Sequence, residues 1–536
     1  MISSLTYIVN NISLPYYASV SEAFSVAGDK MRGLGLDPSR LSYTVYRRSI
    51  DARKQGNIRF VYSIAVSGDI PLIDTARLSR LGVTLASSVE PEFILGDKKV
   101  EDPVVVVGAG PAGMFSALIL VEAGFRVKLI ERGGSVNERK ELVDIFNKQK
   151  ILDPNTNIQF GAGGAGTFSD GKLVTRINDP LSAYVLKRLV EFGAPEEILY
   201  IAKPHIGTDI LSIVVERLLS RISELGGEVL YHTELTSIIE ELGTVKAVKT
   251  TKGDIPASAV ILAIGHSARD TYRSLMKSNL TFEAKSFSVG MRIEHLKSNI
   301  DTALYGKLAG DDRLPAGEYN LSHNTKVRGV YTFCMCPGGE VVAATSQVCG
   351  VVSNGMSRHA RDGLNSNSAV CCTIFKDDFG GDPISAIRFQ ESIEREAFIA
   401  GGRDYSAPII TVGDFLGGEC KREPTSVLPT YMGGVGVKLE KPESYLPEIV
   451  TSSIKNAIIA FDKKIKGFAD SSAVLTGAET RTSSPVRMTR DPQTKLAIGY
   501  TNLYPTGEGA GYAGGITSAA IDGIKSAMAF IKCHKP

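Results

Sequence analysis

Residues 104–113 have the sequence VVVVGAGPAG, and this stretch decides the fold. Four consecutive valines predict a short buried strand, and the glycines behind them fit the pattern G-x-G-x-x-G of a strand-to-helix turn. Gly108 permits the tight turn, Gly110 lets a pyrophosphate approach the backbone, and Gly113 lets the following helix pack closely on the sheet. The N–H groups that begin this helix are unpaired and attract phosphate. The turn therefore predicts five dinucleotide contacts: Gly108, Gly110, Pro111, Ala112 and Gly113.

A second strand follows at 126–130 and ends at Glu131, which completes a β-α-β unit. A carboxylate at this place can accept hydrogen bonds from a ribose diol, and it disfavours a ribose that carries a 2′-phosphate. We therefore predict a dinucleotide without that phosphate. Arg132, the next residue, is a further candidate contact. Arg139 is either a contact of the pyrophosphate or a solvated residue of the next helix, and the sequence favours neither.

Two later segments bear on which dinucleotide is bound. AVILAIG at 259–265 ends a run of three strands, and YPTGEGAG at 504–511 is a glycine-rich turn before the C-terminal helix. Both resemble segments of glutathione-reductase-type flavoproteins, where a helix N-terminus favours the negative charge of the reduced flavin. A plain glycine cap of a helix is the alternative for the second segment. The resemblance implies FAD rather than NAD, with six further contacts: Ala263, Gly265, Gly507, Glu508, Gly515 and Ile516.

Longer motifs resemble one family over most of the chain. They are RSIDARK at 48–54, GAGGAGTFSDGKL at 161–173, YTFCMCPGG at 331–339, GAETRTSSPVR at 477–487 and the segment 507–516. These motifs resemble the FAD-dependent, or NAD(FAD)-utilising, dehydrogenases of undefined substrate, which are related to geranylgeranyl-reductase-type and glutathione-reductase-type flavoproteins. The resemblance implies that Gly163, Gly164 and Ala165 pass close to the flavin or the pyrophosphate. The chain departs from the family pattern at Ala162, where an acid is expected.

These patterns together predict an α/β protein of three domains. Residues 1–98 form a small N-terminal α+β domain. Residues 99–279 and 485–536 form a glutathione-reductase-type, Rossmann-like FAD-binding domain that is discontinuous in sequence. Residues 280–484 form an inserted α+β substrate domain, for which the sequence predicts irregular structure with many short strands.

The composition of the 536 residues is that of an ordinary globular protein, with 43% hydrophobic and 22% charged residues. A net charge of +2 gives no general affinity for nucleic acid or a membrane, and no stretch approaches the roughly 20 apolar residues of a membrane span. The N-terminal residues lack the features of a signal peptide. Seven cysteines form no regular framework, which indicates a reducing compartment and hence the cytoplasm. Seven histidines show no ligand spacing, so no metal is predicted.

The predicted function is that of an FAD-dependent oxidoreductase, which transfers hydride through the flavin to or from an unidentified small-molecule substrate. Arg481 and Arg487 either face the flavin and bind an anionic substrate or anchor the inserted domain. His266 is a further catalytic candidate, although a loop histidine with satisfied hydrogen bonds is the better interpretation. The sequence holds no second G-x-G-x-x-G unit, since GGVG at 433–436 lacks a following helix and acid. NADH or NADPH, if it is the electron donor, would therefore bind only transiently beside the flavin.

Cys334 and Cys336 form a C-x-C pattern on a predicted strand, where residues two apart share a face. They are either a redox pair or, as the favoured interpretation, a buried structural pair.

Other functions stay open. One is a reductase of an unsaturated, isoprenoid-like or other apolar substrate, and another is a flavin-binding sensor without turnover. A third is a flavin-dependent RNA-modifying or RNA-binding protein that grips RNA with the basic residues between 47 and 59. A solvated sheet edge explains that basic cluster better, so nucleic acid is not an expected partner. The sequence does not predict the oligomeric state.

Overall fold

The structure of the protein is a computed structural model that describes residues 5–86, 92–175, 177–325, 327–431 and 435–536. Residues 1–4 and 433–434, on which parts of the sequence analysis depend, lie outside these ranges. Three larger sheets carry the described architecture: one has four strands, one has five and one has seven.

The N-terminal domain is a four-stranded antiparallel sheet with two helices in the order βαββαβ, which is the ferredoxin-like arrangement. Its elements are the strand Thr6–Pro15, the helix Val20–Gly33, the strands Ser42–Asp51 and Arg59–Ser67, the helix Thr75–Arg80 and the strand Val83–Leu85. Every second residue of the strand Arg59–Ser67 is buried, as expected for a sheet with one face on the core. Ala23, Ala27 and Met31 of the first helix are buried in the same core.

The basic cluster of this domain takes part in contacts within the chain. The backbone N–H of Arg48 donates to the carbonyl of Tyr200 at 2.7 Å, and the N–H of Ala202 donates to the carbonyl of Arg48 at 2.9 Å. Arg53 pairs with Asp51 at 2.6 Å. The edge strand therefore docks on the nucleotide-binding domain, and these contacts give the RNA-binding alternative no support.

The nucleotide-binding domain is built on the five-stranded sheet, which is parallel throughout. Its strands in spatial order are Leu503–Pro505, Ala259–Leu262, Val104–Val107, Val127–Ile130 and Glu228–Leu230. The helices around it are Pro111–Glu122, Val136–Gln149, Leu181–Glu191, Thr208–Glu224 and Ile516–Ile531. The predicted strand of four valines is confirmed at the centre, with all four side chains buried. The first and last helices lie so close that a Cβ at Gly523 would be 2.1 Å from the carbonyl oxygen of Ala112.

Smaller elements complete this part of the chain. An antiparallel sheet consists of Leu235–Glu241, Thr244–Thr250 and Gly253–Pro256, and the short helix Arg269–Leu275 follows the strand Ala259–Leu262. The C-terminal strand His534–Lys535 pairs in parallel with the strand Lys98–Lys99.

The inserted domain has more regular structure than the sequence predicts. Its seven strands in spatial order are Ser322–Asn324, Gly329–Cys336, Asn365–Ile374, Phe287–Leu296, Val474–Glu479, Ala407–Thr411 and Val437–Leu439. The helices of this domain are Lys297–Tyr305, Pro383–Ala400, Val412–Gly417 and Glu448–Asp462. Two antiparallel pairs join Phe282–Ala284 with Val486–Met488 and Glu340–Ala343 with Ser353–Met356.

The expectation of irregular, short strands was wrong for the centre of this sheet. Two of its strands are ten residues long and almost wholly buried on both faces. Strands buried on both faces do not alternate between apolar and polar residues. Buried polar residues such as Arg292, Glu294 and Asn367 also interrupt the apolar runs, which hid these strands from the sequence pattern. Over the described ranges, we find no helix whose length and apolar character would suit a membrane crossing.

Candidate functional site

A cavity of about 330 Å³ lies between the five-stranded sheet and the seven-stranded sheet. Most of the residues predicted to contact cofactor or substrate line it. They are Gly108, Gly110, Pro111, Ala112, Glu131, Arg132, Gly164, Ala165, Ala263, Gly265, His266, Arg481, Glu508, Gly515 and Ile516. The fold thus brings residues from six separate segments of the sequence to one space.

The glycines of the first turn have different tasks. Gly108 has a φ of 99°, and a Cβ there would be 2.4 Å from the carbonyl oxygen of Ala263. A Cβ at Gly113 would be 1.8 Å from the carbonyl oxygen of Gly108, so Gly113 serves helix packing and does not line the cavity. Gly110 differs, because the nearest described atom to an added Cβ is the Cα of Gly164 at 4.0 Å. Its missing side chain therefore keeps the cavity open.

Glu131 is 5% exposed and accepts three backbone hydrogen bonds. Its Oε2 accepts from Ala109 at 2.8 Å, and its Oε1 accepts from Gly133 at 3.0 Å and Gly161 at 2.9 Å. The carboxylate thereby ties the glycine turn to the loop at 161. Because a carboxylate has about four acceptor positions, one remains for a ribose hydroxyl on the cavity side.

Arg132 forms part of the cavity wall beside Glu131. Its guanidinium donates to both carboxylate oxygens of Asp270 at 3.0 and 2.8 Å, lies 3.2 Å from Glu234 and stacks 4.2 Å from the centre of the Phe160 ring. The charge of Arg132 is therefore already paired within the protein.

Arg139 neither contacts the cavity nor lies in solvent, so it fits neither of the two interpretations of its sequence position. It is fully buried, and its guanidinium donates to the carbonyl oxygens of Asn157 at 2.8 Å, Ile158 at 2.7 Å and Ala162 at 2.6 Å. Burial lowers its pKa to about 9. Since it lies behind the loop 157–162 and does not line the cavity, the expected pyrophosphate contact is corrected to support of that loop.

Gly163, Gly507 and Arg487 also lie outside the cavity lining. A Cβ at Gly507 would be 2.8 Å from the Cβ of Ala112, so this glycine packs behind the lining. The guanidinium of Arg487 lies 5.3 Å from the centre of the Tyr512 ring, on the strand Val486–Met488. Of the two interpretations of Arg487, the structure therefore favours an anchoring role.

His266 and Glu508 form a polar pair in the cavity, with His266 Nδ1 3.5 Å from Glu508 Oε1. Burial, together with the nearby positive charges of Arg481 and Arg269, lowers the pKa of His266 to about 3. Burial raises the pKa of Glu508 to about 7. At neutral pH the imidazole of His266 is therefore uncharged. The Nε2 atom of His266 is buried and has no hydrogen-bond partner among the described residues.

Arg481 belongs to a buried charge network that the sequence did not reveal. Its Nε and Nη2 donate to Glu394 at 3.1 and 2.9 Å, and both Nη atoms of Arg269 donate to the same carboxylate at 2.7 Å. Although burial alone would raise it, the two guanidinium groups hold the pKa of Glu394 well below its usual value. Arg481 still lines the cavity, but its role as a free anion-binding residue is replaced by anchoring.

The wall opposite the glycine turn is formed by the inserted domain. Arg292 donates to Glu479 at 2.9 Å, to the carbonyl of Cys334 at 2.9 Å and to Asn354 at 2.8 Å. Cys334 and Cys336 lie on a strand, as predicted, but Cys334 has a φ of 45° at a β-bulge, which interrupts the regular alternation of side chains there. Cys336 is fully buried beside it.

Several lining residues were missed by the sequence analysis. They are Gln159, Lys172, Thr233, Glu234, Asn354, Thr482 and Gly514. Lys172, Thr482 and Gly514 lie within the motifs at 161–173, 477–487 and 507–516, whereas the others carry no local signal. Over the described ranges, His, Cys, Asp and Glu residues form no group of three or more suited to a metal ion.

The parallel sheet, the glycine turn and the acid at the end of the second strand define a dinucleotide-binding α/β protein with a second domain over the site. The residues present fit FAD, because Gly110 leaves the phosphate cradle open and the cavity continues to the sheet of the inserted domain.

Comparison with protein families agrees with this class. The model of the pyridine nucleotide-disulphide oxidoreductases matches residues 102–289, and the model described as "FAD-dependent protein, C-terminal domain-like" matches residues 286–482. A domain of unknown function matches residues 10–67. A curated relative from Clostridium beijerinckii, described as "Uncharacterized protein", is 42% identical over 98% of both chains. The chain therefore belongs to a family of FAD-dependent proteins of the oxidoreductase class.

Solved structures are similar only at a distance. A geranylgeranyl bacteriochlorophyll reductase-like protein from Thermoplasma acidophilum is 14% identical, with 80% of this chain and 77% of that chain covered and a TM-score of 0.32. An L-amino acid deaminase from Proteus vulgaris is 15% identical with a TM-score of 0.23, and the match covers 39% of this chain and 64% of that one.

Proposed function

We propose that the protein is an FAD-dependent oxidoreductase that transfers hydride between the flavin and a small-molecule substrate held under the inserted domain. The observation that carries this proposal is one continuous cavity that runs from Glu131 and the glycine turn to the wall formed by Phe333, Cys334 and Thr482. One part of the cavity has the features of a dinucleotide site. The other part offers space for a second molecule beside the inserted domain.

Each end of the cofactor has candidate partners. We assign the ribose to Glu131, the phosphates to the backbone of 108–112, and the flavin to the glycine-rich segments 164–166 and 514–516. When bound, FAD supplies an acceptor or donor of hydride at N5. The helix Ile516–Ile531 begins at this place, and the partial positive charge of its N-terminus favours negative charge nearby.

Glu508 is the proposed proton-exchanging group. Its carboxyl group has a pKa raised by burial to about 7, which is the range in which a side chain exchanges protons most effectively at neutral pH. The proton would be held at Oε1, 3.5 Å from Nδ1 of the neutral His266. His266 is thereby proposed to position Glu508 and to offer its unpartnered Nε2 atom to a ligand in the cavity.

The buried Arg269–Glu394–Arg481 network gives the site a fixed positive charge. It contains two guanidinium groups and one carboxylate, so one positive charge remains uncompensated within the network. In a buried environment, such a charge favours electron-rich ligands and developing negative charge. This supports hydride chemistry at the flavin and an anionic or polarisable substrate.

The test is anaerobic reduction of the purified protein, followed by its visible spectrum. We expect NADH or NADPH to bleach the flavin as a transiently bound electron donor. Mixing the reduced protein with candidate acceptors then identifies the substrate class. Bound FAD that neither nicotinamide nor any reduced substrate can bleach would contradict the enzymatic role and favour a sensor without turnover.

A further inference from the structure

We propose that Cys334 and Cys336 form a redox-active dithiol that exchanges two electrons with the flavin. This inference rests on the proposed function, since it takes FAD to be bound in the cavity. The two cysteines lie at the end of the strand Gly329–Cys336, on the wall that the inserted domain contributes to the cavity. The site would therefore contain a second two-electron redox group that faces the flavin.

The backbone conformation places the thiol of Cys336 against Cys334. The strand register shifts between Phe333 and Cys336, and Cys334 has a left-handed φ of 45°. The thiol of Cys336 donates to the carbonyl oxygen of Cys334 at 3.3 Å, which holds its sulfur atom against the backbone of Cys334. A backbone in this sparsely populated region costs about 1–3 kcal/mol, and such costs concentrate at functional sites.

Access to the two sulfur atoms differs. Cys334 is partly exposed and lines the cavity, whereas Cys336 is fully buried. A reagent in the cavity can therefore reach Cys334 directly and Cys336 only through it. This is the arrangement of an attacking cysteine and a resolving cysteine.

The surroundings favour a thiolate at Cys334. Interaction with Cys336 lowers the pKa of Cys334 against the effect of burial, and the positive charges of Arg292 and Lys172 add to this shift. Hydrogen bonding to Cys334 and burial raise the pKa of Cys336 well above its usual value. The charged groups that face the pair are Arg292, Lys172, Asp170 and Glu479. Because the thiolate is the reactive form, Cys334 is the nucleophile of the pair.

The exchange is balanced without any further reactant. In the reducing direction, the anionic reduced flavin gives two electrons to the S–S bond between Cys334 and Cys336, and this bond breaks. The proton released by the flavin goes to Cys336, and Cys334 remains a thiolate. The flavin is left oxidised. The reverse exchange forms the S–S bond and returns two electrons and one proton to the flavin.

The first test uses the full-length protein with its flavin, oxidised beforehand with oxidised glutathione. Anaerobic titration with dithionite should require two two-electron equivalents per flavin. Digestion with trypsin and a glutamate-specific protease releases residues 329–340, which contain only these two cysteines. Before reduction, this peptide should have a mass lower by two hydrogen atoms, and that difference should disappear on reduction.

Variants separate the pair from the other thiols. Cys336→Ser should lower the requirement to one equivalent, and Cys334→Ser should do the same if the first variant fails to fold. Cys349→Ser removes an exposed thiol just beyond the same peptide and should leave two equivalents. A wild-type protein that binds flavin but takes up one equivalent, or whose 329–340 peptide never loses two hydrogens, would overturn the dithiol proposal. Absence of any flavin would instead refute the proposed function.

Discussion

Replacing Gly110 with alanine should weaken FAD binding without destabilising the cofactor-free protein. Gly110 lines the cavity, has an ordinary extended backbone with φ −77°, and leaves an added Cβ no closer than 4.0 Å to the nearest described atom, the Cα of Gly164. The methyl group is therefore accommodated by the protein and occupies the space assigned to the pyrophosphate. Gly113→Ala should behave in the opposite way, because its Cβ would be 1.8 Å from the carbonyl oxygen of Gly108.

The size of the effect follows from crowding at a close contact. Forcing one extra methyl group into a packed space costs about 1–3 kcal/mol. For the bound cofactor of Gly110→Ala, this corresponds to a roughly 5- to 150-fold higher Kd. Its cofactor-free form should unfold within about 0.5 kcal/mol of wild type, which is the usual range for a substitution that strains nothing.

The assay is titration of the cofactor-free proteins with FAD, combined with urea unfolding of the same samples. Gly417→Ala is the matched control, since Gly417 lies outside the cavity lining and has no described atom within 4 Å of an added Cβ. It should bind FAD as wild type does. Unchanged FAD affinity in Gly110→Ala, or an equal loss in Gly417→Ala, would refute the assignment of the phosphate cradle.

Further predictions concern buried charge and protonation. Glu394→Gln should lower the unfolding free energy, measured with urea, by about 3–5 kcal/mol, because it leaves two buried guanidinium groups uncompensated. Glu396 is exposed on the same helix, and Glu396→Gln should change the unfolding free energy little. Glu508→Gln should retain FAD, but its rate of flavin reduction, measured by rapid mixing, should no longer change around pH 7. A dependence of the rate on pH like that of wild type would contradict the role of Glu508 in proton exchange. Burial lowers the pKa of His205 from 6.5 to about 4. Between these two pH values, the unfolded chain binds a proton at His205 that the folded chain does not. The unfolding free energy should therefore fall as pH drops from about 6.5 to 4. His205→Asn should make this dependence shallower without abolishing it, because the lowered pKa of His266 acts in the same direction; the half-exposed His232→Gln should leave it as in wild type.

The nucleotide-binding half of the fold could be predicted because its signals are local. The four valines, the glycine turn and Glu131 lie within one β-α-β unit. This unit places the turn and Glu131 at the ends of two neighbouring parallel strands. The glycine-rich turn before the C-terminal helix was found in the same way. These elements meet at one edge of a parallel sheet, as the topology requires.

The rest of the site depends on contacts between distant parts of the chain. Arg269 and Glu394 are 125 residues apart in sequence, and neither carries a local sign of its partner. Arg139 belongs to a helix with charged residues on both sides, so its burial against loop carbonyls could not be distinguished from a solvated position. The β-bulge at Cys334 likewise depends on the neighbouring strand Asn365–Ile374. Such features arise from tertiary packing, which residue periodicity does not encode.

The most direct test of the account is the cofactor content of the purified full-length protein. Its visible spectrum is recorded, the protein is denatured, and the released compound is identified by chromatography and mass spectrometry. We expect one FAD per chain, either as purified or after addition of FAD and removal of the excess. A protein that releases no flavin and does not bind added FAD would contradict the assignment of the cavity to FAD.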